Sequence, residues 1–219
     1  MGLLFDNYNL CVLTEQTLSE CYPFTCGEDE DMDEFFREDA LDYTHYAMGK
    51  SYCFRAVDNP RKIAACFTVS NDSIRIYDLP SSRKNAMWKD ITNREKMLSR
   101  FPGVLIGRLA VAEDCRGMGI GSQVLDFVKL WFRDPDNKTA CRLLIVDAKN
   151  ESGVLNFYEK NGFRFLFKRE IDEDLYTKHP ANEVEREERI RNPRVLKTRL
   201  MFFDLLKVRG KSAPLSPPA

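Results

Sequence analysis

The chain has 219 residues, 43% of them hydrophobic, 31% charged and 11% aromatic. That length makes one domain or two small ones, with enough core to need no disulfide or metal staples. The composition excludes a collagen, a coiled coil and a mostly disordered chain. A formal net charge of −1 conceals an asymmetry: residues 1–50 hold twelve acids and two bases, and the remainder is net +9. The acidic head reads as a solvated helix face, and the basic remainder as a surface able to meet an anionic ligand.

No run approaches the ~18 apolar residues of a membrane helix, so no membrane partner is expected. The start, Met1-Gly2-Leu3-Leu4-Phe5-Asp6, lacks the basic region of a signal peptide, and Asp6 stands where a myristoylation signal has Ser or Thr. A cytoplasmic location is expected. Seven cysteines is an odd number and none forms a C-x-x-C; Cys53, Cys66 and Cys141 lie in apolar runs and read as reduced core thiols. With only His45 and His179 and no ligand spacing, no metal site is expected.

In chain order, residues 9–14 read as a short strand and Pro23–Gly27 as a turn. From Asp29 to Met48 the spacing of Met32, Phe35, Phe36, Ala40, Tyr43 and Ala47 predicts a helix stopped by Gly49. Ser51–Val57 and Lys62–Ser70 form a hairpin around Asp58-Asn59-Pro60. Residues 71–103 contain a basic insert, with six bases and two acids between Ser81 and Arg100. Val104–Ala112 reads as a buried strand, Ile120–Phe132 as a helix, Cys141–Val146 as a second buried strand and Val154–Lys160 as a short helix. A charged extension covers 168–197, helix-like over 183–192. Thr198–Val208 is a last strand and 210–219 a loose Pro-rich tail. Residues 1–209 form a single α/β domain: strands alternate with helices in the second half, which requires parallel members in the sheet.

The informative segment joins the 104–112 strand to the 120–132 helix: Arg116-Gly117-Met118-Gly119-Ile120-Gly121-Ser122. Alternating glycines let successive N–H groups point into one concavity, a nest for an anion. The helix start behind them adds partial positive charge, and Arg116 a full one. A phosphate or pyrophosphate is the natural guest. A Walker A loop needs Gly-Lys-Ser/Thr after its second glycine, and there is none. A dinucleotide fingerprint needs G-x-G-x-x-G/A, and Ser122 stands at its last position. Arg-x-x-Gly-x-Gly is met by Arg116, Gly119 and Gly121.

That last pattern resembles the coenzyme A pyrophosphate loop of the GNAT N-acetyltransferase superfamily. The resemblance extends over roughly Ser51–Phe165. Gly107-Arg108-Leu109-Ala110-Val111 resembles the family's fourth strand, and Phe157-Tyr158-Glu159-Lys160-Asn161-Gly162-Phe163 its FYEKxGF segment. The resemblance implies a mixed central sheet, splayed between its fourth and fifth strands and flanked by helices, with acetyl-CoA as co-substrate. It implies that backbone groups of Leu109, Ala110 and Val111 bond the pantetheine arm and that Arg116, Gly117, Met118, Gly119, Ile120, Gly121 and Ser122 hold the pyrophosphate. Asn150 stands near a family asparagine that contacts the arm.

Acetyl transfer needs an amine nucleophile, a polarised thioester and a proton for the departing thiolate. Tyr158 stands where the family's general-acid tyrosine stands, and an unperturbed phenol, with a pKa of about 10, matches a leaving thiolate. A backbone N–H near Leu109 or Ala110 would polarise the carbonyl. The strand Val104–Arg108 carries no carboxylate. The substrate ammonium is therefore left to lose its proton through water or to arrive as free amine. Cys115 reads as a small half-buried side chain, Asn156 as a helix-surface residue, and Trp88 as a packing anchor or a wall of the substrate site.

Further fragments, Pro23–Gly27 with the acidic stretch after it, Leu79-Pro80 and Phe101–Val111, resemble the bacterial GNAT toxins that acetylate aminoacyl-tRNA. On that reading Lys84, Lys89, Arg94 and Lys96 would meet RNA phosphates. The acceptor stays open among small amines, peptides, lysines and aminoacyl-tRNA, and a homodimer stays open too. A non-enzymatic coenzyme A-binding module is the reading of another class.

Overall fold

The structure is a computed structural model that describes residues 3–27, 29–88 and 98–208, with the side chains of Leu3, Phe5 and Trp88 excepted. Its elements run α1 (Leu3–Asn7), β1 (Tyr8–Val12), α2 (Glu15–Glu20), α3 (Glu30–Glu34), a π-helical turn (Phe35–Asp39), α4 (Ala40–His45), β2 (Lys50–Ala56), β3 (Ile63–Arg75), α5 (Ser81–Trp88) and β4 (Arg100–Val111). After β4 come a 3-10 turn (Glu113–Cys115), α6 (Ile120–Arg133), β5 (Leu143–Lys149), α7 (Ser152–Lys160), β6 (Arg164–Phe165), α8 (Glu170–Thr177), α9 (Glu183–Arg191), β7 (Thr198–Asp204) and a second 3-10 turn (Leu205–Lys207). The α/β class expected from the sequence holds. The chain divides into two compact units: residues 1–71, 104–140 and 205–219, and residues 72–103 and 141–204.

In the first unit the strands lie in the order β1, β2, β3, β4. β1 and β3 both run antiparallel to β2, with Cys53 opposite Cys11 on one side and Cys66 on the other. Cys53 and Cys66 are fully buried, and burial pushes both thiols far above their ordinary range. These two are core thiols, as expected, whereas Cys141 is only half-buried. α6 buries Ile120, Val124, Leu125, Phe127 and Val128, the stripe that the 3.6-residue period predicts. Phe127 meets Phe54 edge-to-face at 5.4 Å and Trp131 meets Tyr52 at 5.0 Å. Each fully buried side chain of this stripe contributes roughly 1.5–3 kcal/mol. The helix start with its glycine loop therefore stands on a well-anchored element.

The expected 29–48 helix is interrupted by one wide turn. The five residues Phe35–Asp39 are π-helical, and Phe35, Phe36 and Ala40 are all buried there. Its end is made by Ala47 rather than Gly49. Ala47 takes φ +55°, and the Met48 N–H returns to the Tyr43 carbonyl at 2.9 Å. Gly49 serves close packing instead, because a Cβ there would stand 3.1 Å from Thr68 Cγ2. α2 is too short for a periodic signal; Thr14 starts it by accepting the Thr17 N–H at 3.1 Å.

In the second unit β7 lies between β5 and β6, antiparallel to both, so Met201 faces Val146 on one side and Phe165 on the other. The charged extension is not a loose surface strip. Glu173 of α8 is buried and accepts the Arg199 Nε–H at 3.0 Å and the Leu200 N–H, while Arg199 also donates to the Phe167 carbonyl at 3.1 Å. A buried carboxylate of this kind persists only when its oxygens are matched by donors. The basic insert is shorter than expected, since β3 continues to Arg75 and β4 starts at Arg100. Ile74 and Phe101 are buried there, and Pro102, whose missing N–H is tolerated near a strand start, still accepts from Arg142 N at 3.0 Å. Lys89, Arg94, Lys96 and the 210–219 tail lie outside the described residues, as does the side chain of Trp88.

Candidate active site

Within the first unit, β4 ends at Val111, the 3-10 turn follows, and the glycines open onto α6. Gly117 and Gly119 take φ +75° and +76°, the left-handed values that aim neighbouring N–H groups into one concavity. A Cβ on Gly117 would meet nothing within 4 Å, so this glycine answers a backbone need and not a steric one. Gly119 is the N-cap of α6 and offers no side-chain cap. The first N–H groups of that helix are thus left to an outside acceptor. Gly117, Met118 and Gly119 are exposed, and Gly121 and Ser122 half-buried.

Arg116 is exposed but not loose. Its guanidinium donates to the Cys26 carbonyl and lies against Gly27, whose missing Cβ would come within 3.4 Å of it. The neighbouring turn is bonded too, with Glu113 N–H donating to the Thr25 carbonyl at 3.1 Å. Cys115 is fully buried rather than half-buried. Burial first, then a hydrogen bond with Asp114, raises its thiol pKa, so it is no reactive thiolate at neutral pH. On β4, Ala110 is buried and Leu109 and Val111 are half-buried.

In the second unit the sequence Tyr158-Glu159-Lys160-Asn161-Gly162-Phe163 builds a helix terminus of fixed geometry. Gly162 takes φ +83°, its N–H reaches the Glu159 carbonyl at 2.9 Å, and the Phe163 N–H reaches the Tyr158 carbonyl at 3.0 Å. The rings of Tyr158 and Phe163 meet at 5.3 Å. Tyr158 is buried, and burial pushes its phenol up to about 12. The phenol therefore stays protonated across the physiological range. Its hydroxyl makes no hydrogen bond among the described residues. The Asn150 side chain donates to Glu170 Oε1 at 3.2 Å and to the Leu196 carbonyl at 2.9 Å, so its amide protons are held by the charged extension. Asn156 is exposed, as a helix-surface residue should be.

Asp147, on β5, escaped the sequence reading, which sought a carboxylate only on β4. Its side chain is exposed, yet the protein atoms around it, then the charge of Asp72, raise its pKa from the ordinary value, and it makes no hydrogen bond or ion pair among the described residues. Its signal in sequence is a lone acid inside an apolar run. A separate cleft of about 820 Å³ lies in the first unit, lined among others by Lys50, Tyr52, Trp131, Phe132 and Asp134. It sits at the far end of α6, about 20 Å along the helix from the glycine loop, and none of the expected site residues lines it. Among the described residues no group of three His, Cys, Asp or Glu could hold a metal ion, and no helix is long and apolar enough to cross a membrane.

Residues 86–165, just over a third of the chain, are similar to the family model described as acetyltransferase (GNAT) domain. The fold agrees with solved structures. AtaT complexed with acetyl-methionyl-tRNAfMet is 18% identical with a TM-score of 0.61, over 90% of this chain and 94% of that one. A tyrosine-to-phenylalanine mutant of KacT is 18% identical with a TM-score of 0.63, over 91% and 96%. AtaTR bound with acetyl-CoA is 18% identical with a TM-score of 0.62, over 92% and 95%. No curated protein matches the chain.

Proposed function

We propose that this protein is an N-acetyltransferase that moves the acetyl group of acetyl-CoA to a primary amine by direct attack. The observation that carries the reading is the left-handed pair Gly117 and Gly119 at the start of α6, which has no side-chain cap, an arrangement suited to a pyrophosphate. In this reading residues Arg116 to Ser122 hold the pyrophosphate and backbone groups of Leu109, Ala110 and Val111 hold the pantetheine arm. Asn150 contacts the arm through the one polar atom its hydrogen bonds leave, its carbonyl oxygen. A backbone N–H of Leu109 or Ala110 polarises the thioester carbonyl.

The amine nitrogen attacks the carbonyl carbon, the C–S bond breaks, and Tyr158 gives its proton to the departing sulfur. The attacking ammonium must first lose a proton. Asp147, whose raised proton affinity suits a base, is the side chain we assign to that step in place of the carboxylate absent from β4. The second proton, shed by the nitrogen as the amide forms, passes through water to the tyrosinate left on Tyr158, and Asp147 releases its proton to solvent.

A second reading names the acceptor. One neighbour of the same fold is complexed with acetyl-methionyl-tRNAfMet, which supports the amino group of an aminoacyl-tRNA as the target. A thiol-release assay with acetyl-CoA and a panel of polyamines, amino acids, peptides and charged tRNA tests both. Turnover with any member supports acetyl transfer, and turnover confined to charged tRNA supports the second reading. Acetyl-CoA binding without turnover on any acceptor would leave a coenzyme A-binding module.

A further inference from the structure

One acid of the head is not part of a solvated face. Asp33 is only 5% exposed, and both its carboxylate oxygens are used on a single turn. Oδ2 accepts the Thr25 hydroxyl at 2.6 Å and Oδ1 accepts the Cys26 N–H at 2.7 Å. Burial works against its charge, but these donors outweigh burial and hold the carboxyl below its ordinary pKa. The Thr25–Cys26 peptide is planar, so the N–H gripped by Asp33 orients the carbonyl at its other end. That Thr25 carbonyl accepts the Glu113 N–H, and the next carbonyl, of Cys26, accepts the Arg116 guanidinium. Gly27 completes the turn with φ +95° and leaves room for Arg116 to lie against it. All of these residues belong to one compact unit.

We propose that Asp33 is a positioning residue for acetyl-CoA binding: it fixes the Thr25–Gly27 turn, and that turn sets the entrance of the glycine loop through Glu113 and Arg116. The inference rests on the reading that Arg116 to Ser122 hold the pyrophosphate. The carboxylate is required because two donors from one turn need two acceptor oxygens. An amide offers one oxygen and turns an N–H toward the second donor.

The test is a double-mutant cycle on acetyl-CoA affinity, measured by calorimetric titration of the full chain. Asp33→Asn should weaken binding about tenfold, the loss of one charge-assisted hydrogen bond. In an Arg116→Gln background the same change should cost less than about threefold, because its route to the ligand is already cut. A general loss of structure would cost the same in both backgrounds. Thr25→Val removes one arm of the latch from an exposed residue. Should Asp33→Asn not fold, it stands in, with a loss of about threefold in the native background and none beside Arg116→Gln. Unchanged affinity in Asp33→Asn, or equal losses in both backgrounds, would overturn the positioning role and leave the proposed function standing. A wild-type chain that binds no acetyl-CoA would overturn the proposed function and this inference with it.

Discussion

Phe163 holds Tyr158 at two points: its N–H donates to the Tyr158 carbonyl at 3.0 Å, and its ring packs on the tyrosine ring at 5.3 Å. The five-residue spacing of the two aromatics is that of a helix end closed by a left-handed glycine. The segment therefore does more than mark a family; it orients a buried phenol.

Tyr158→Phe keeps that ring and its packing, so acetyl-CoA affinity should survive. Turnover with a natural acceptor should fall at least ~100-fold, the lower bound for loss of a general acid. With an acyl donor whose leaving thiol is more acidic the loss should shrink, because a better leaving group needs less protonation. An equal loss with both donors would make Tyr158 a positioning residue only. Since the phenol is pushed up to about 12, no fall in rate from its ionisation should appear up to about pH 10.

Gly162→Ala tests the scaffold beneath Tyr158. A Cβ at φ +83° is strained and would stand 3.0 Å from the Phe203 ring. The change should cost on the order of 1 kcal/mol or more, a fall in melting temperature of about 2–4 °C for a chain of this size. Differential scanning fluorimetry reads it, and an unshifted transition would refute the account of this helix end.

At Gly119 the expectation concerns ligand and not stability. Acetyl-CoA should raise the melting temperature of the wild-type chain, because it binds the folded state alone. Gly119→Asp places a carboxylate at the mouth of the nest and should abolish that shift while the protein stays folded. An equal shift in both proteins would remove the loop from the cofactor site.

Asp33 supplies the pH prediction. Its folded pKa lies below the unfolded value near 3.9, so its contribution is present above that value and is lost as pH falls through the folded pKa. The difference in melting temperature between wild type and Asp33→Asn should thus be constant from pH 7 to about pH 5 and shrink below pH 4. A difference that persists undiminished at pH 3 would show that the charge of Asp33 is not what stabilises the turn.

Asp147→Asn should lower turnover with an ammonium acceptor and leave acetyl-CoA affinity unchanged, because only the proton acceptor is lost. The deficit should narrow as pH rises and more of the acceptor arrives as free amine. A pH-independent deficit would count against a base.

Local signals in the chain were enough for the elements that matter most. The 3.6-residue stripe of α6, the alternating glycines before it and the Tyr158–Phe163 spacing are short-range patterns, and each is satisfied by residues within a few positions of one another. The hairpin of β2 and β3 follows from the same kind of signal. Contacts between distant segments were decided only by the fold. Asp33 sits among eleven other acids of the head, and nothing in its neighbourhood along the chain distinguishes it. Its oxygens are taken by the Thr25–Gly27 turn, which itself meets Arg116, ninety residues away from Cys26. Glu173 likewise reads as one charge in a charged extension until Arg199 and Leu200, twenty-six and twenty-seven residues on, supply its donors. A side chain's period along the chain reports which face of an element it is on. Whether a charge on that face meets water or a buried donor depends on what packs against it, and that is a property of the folded chain.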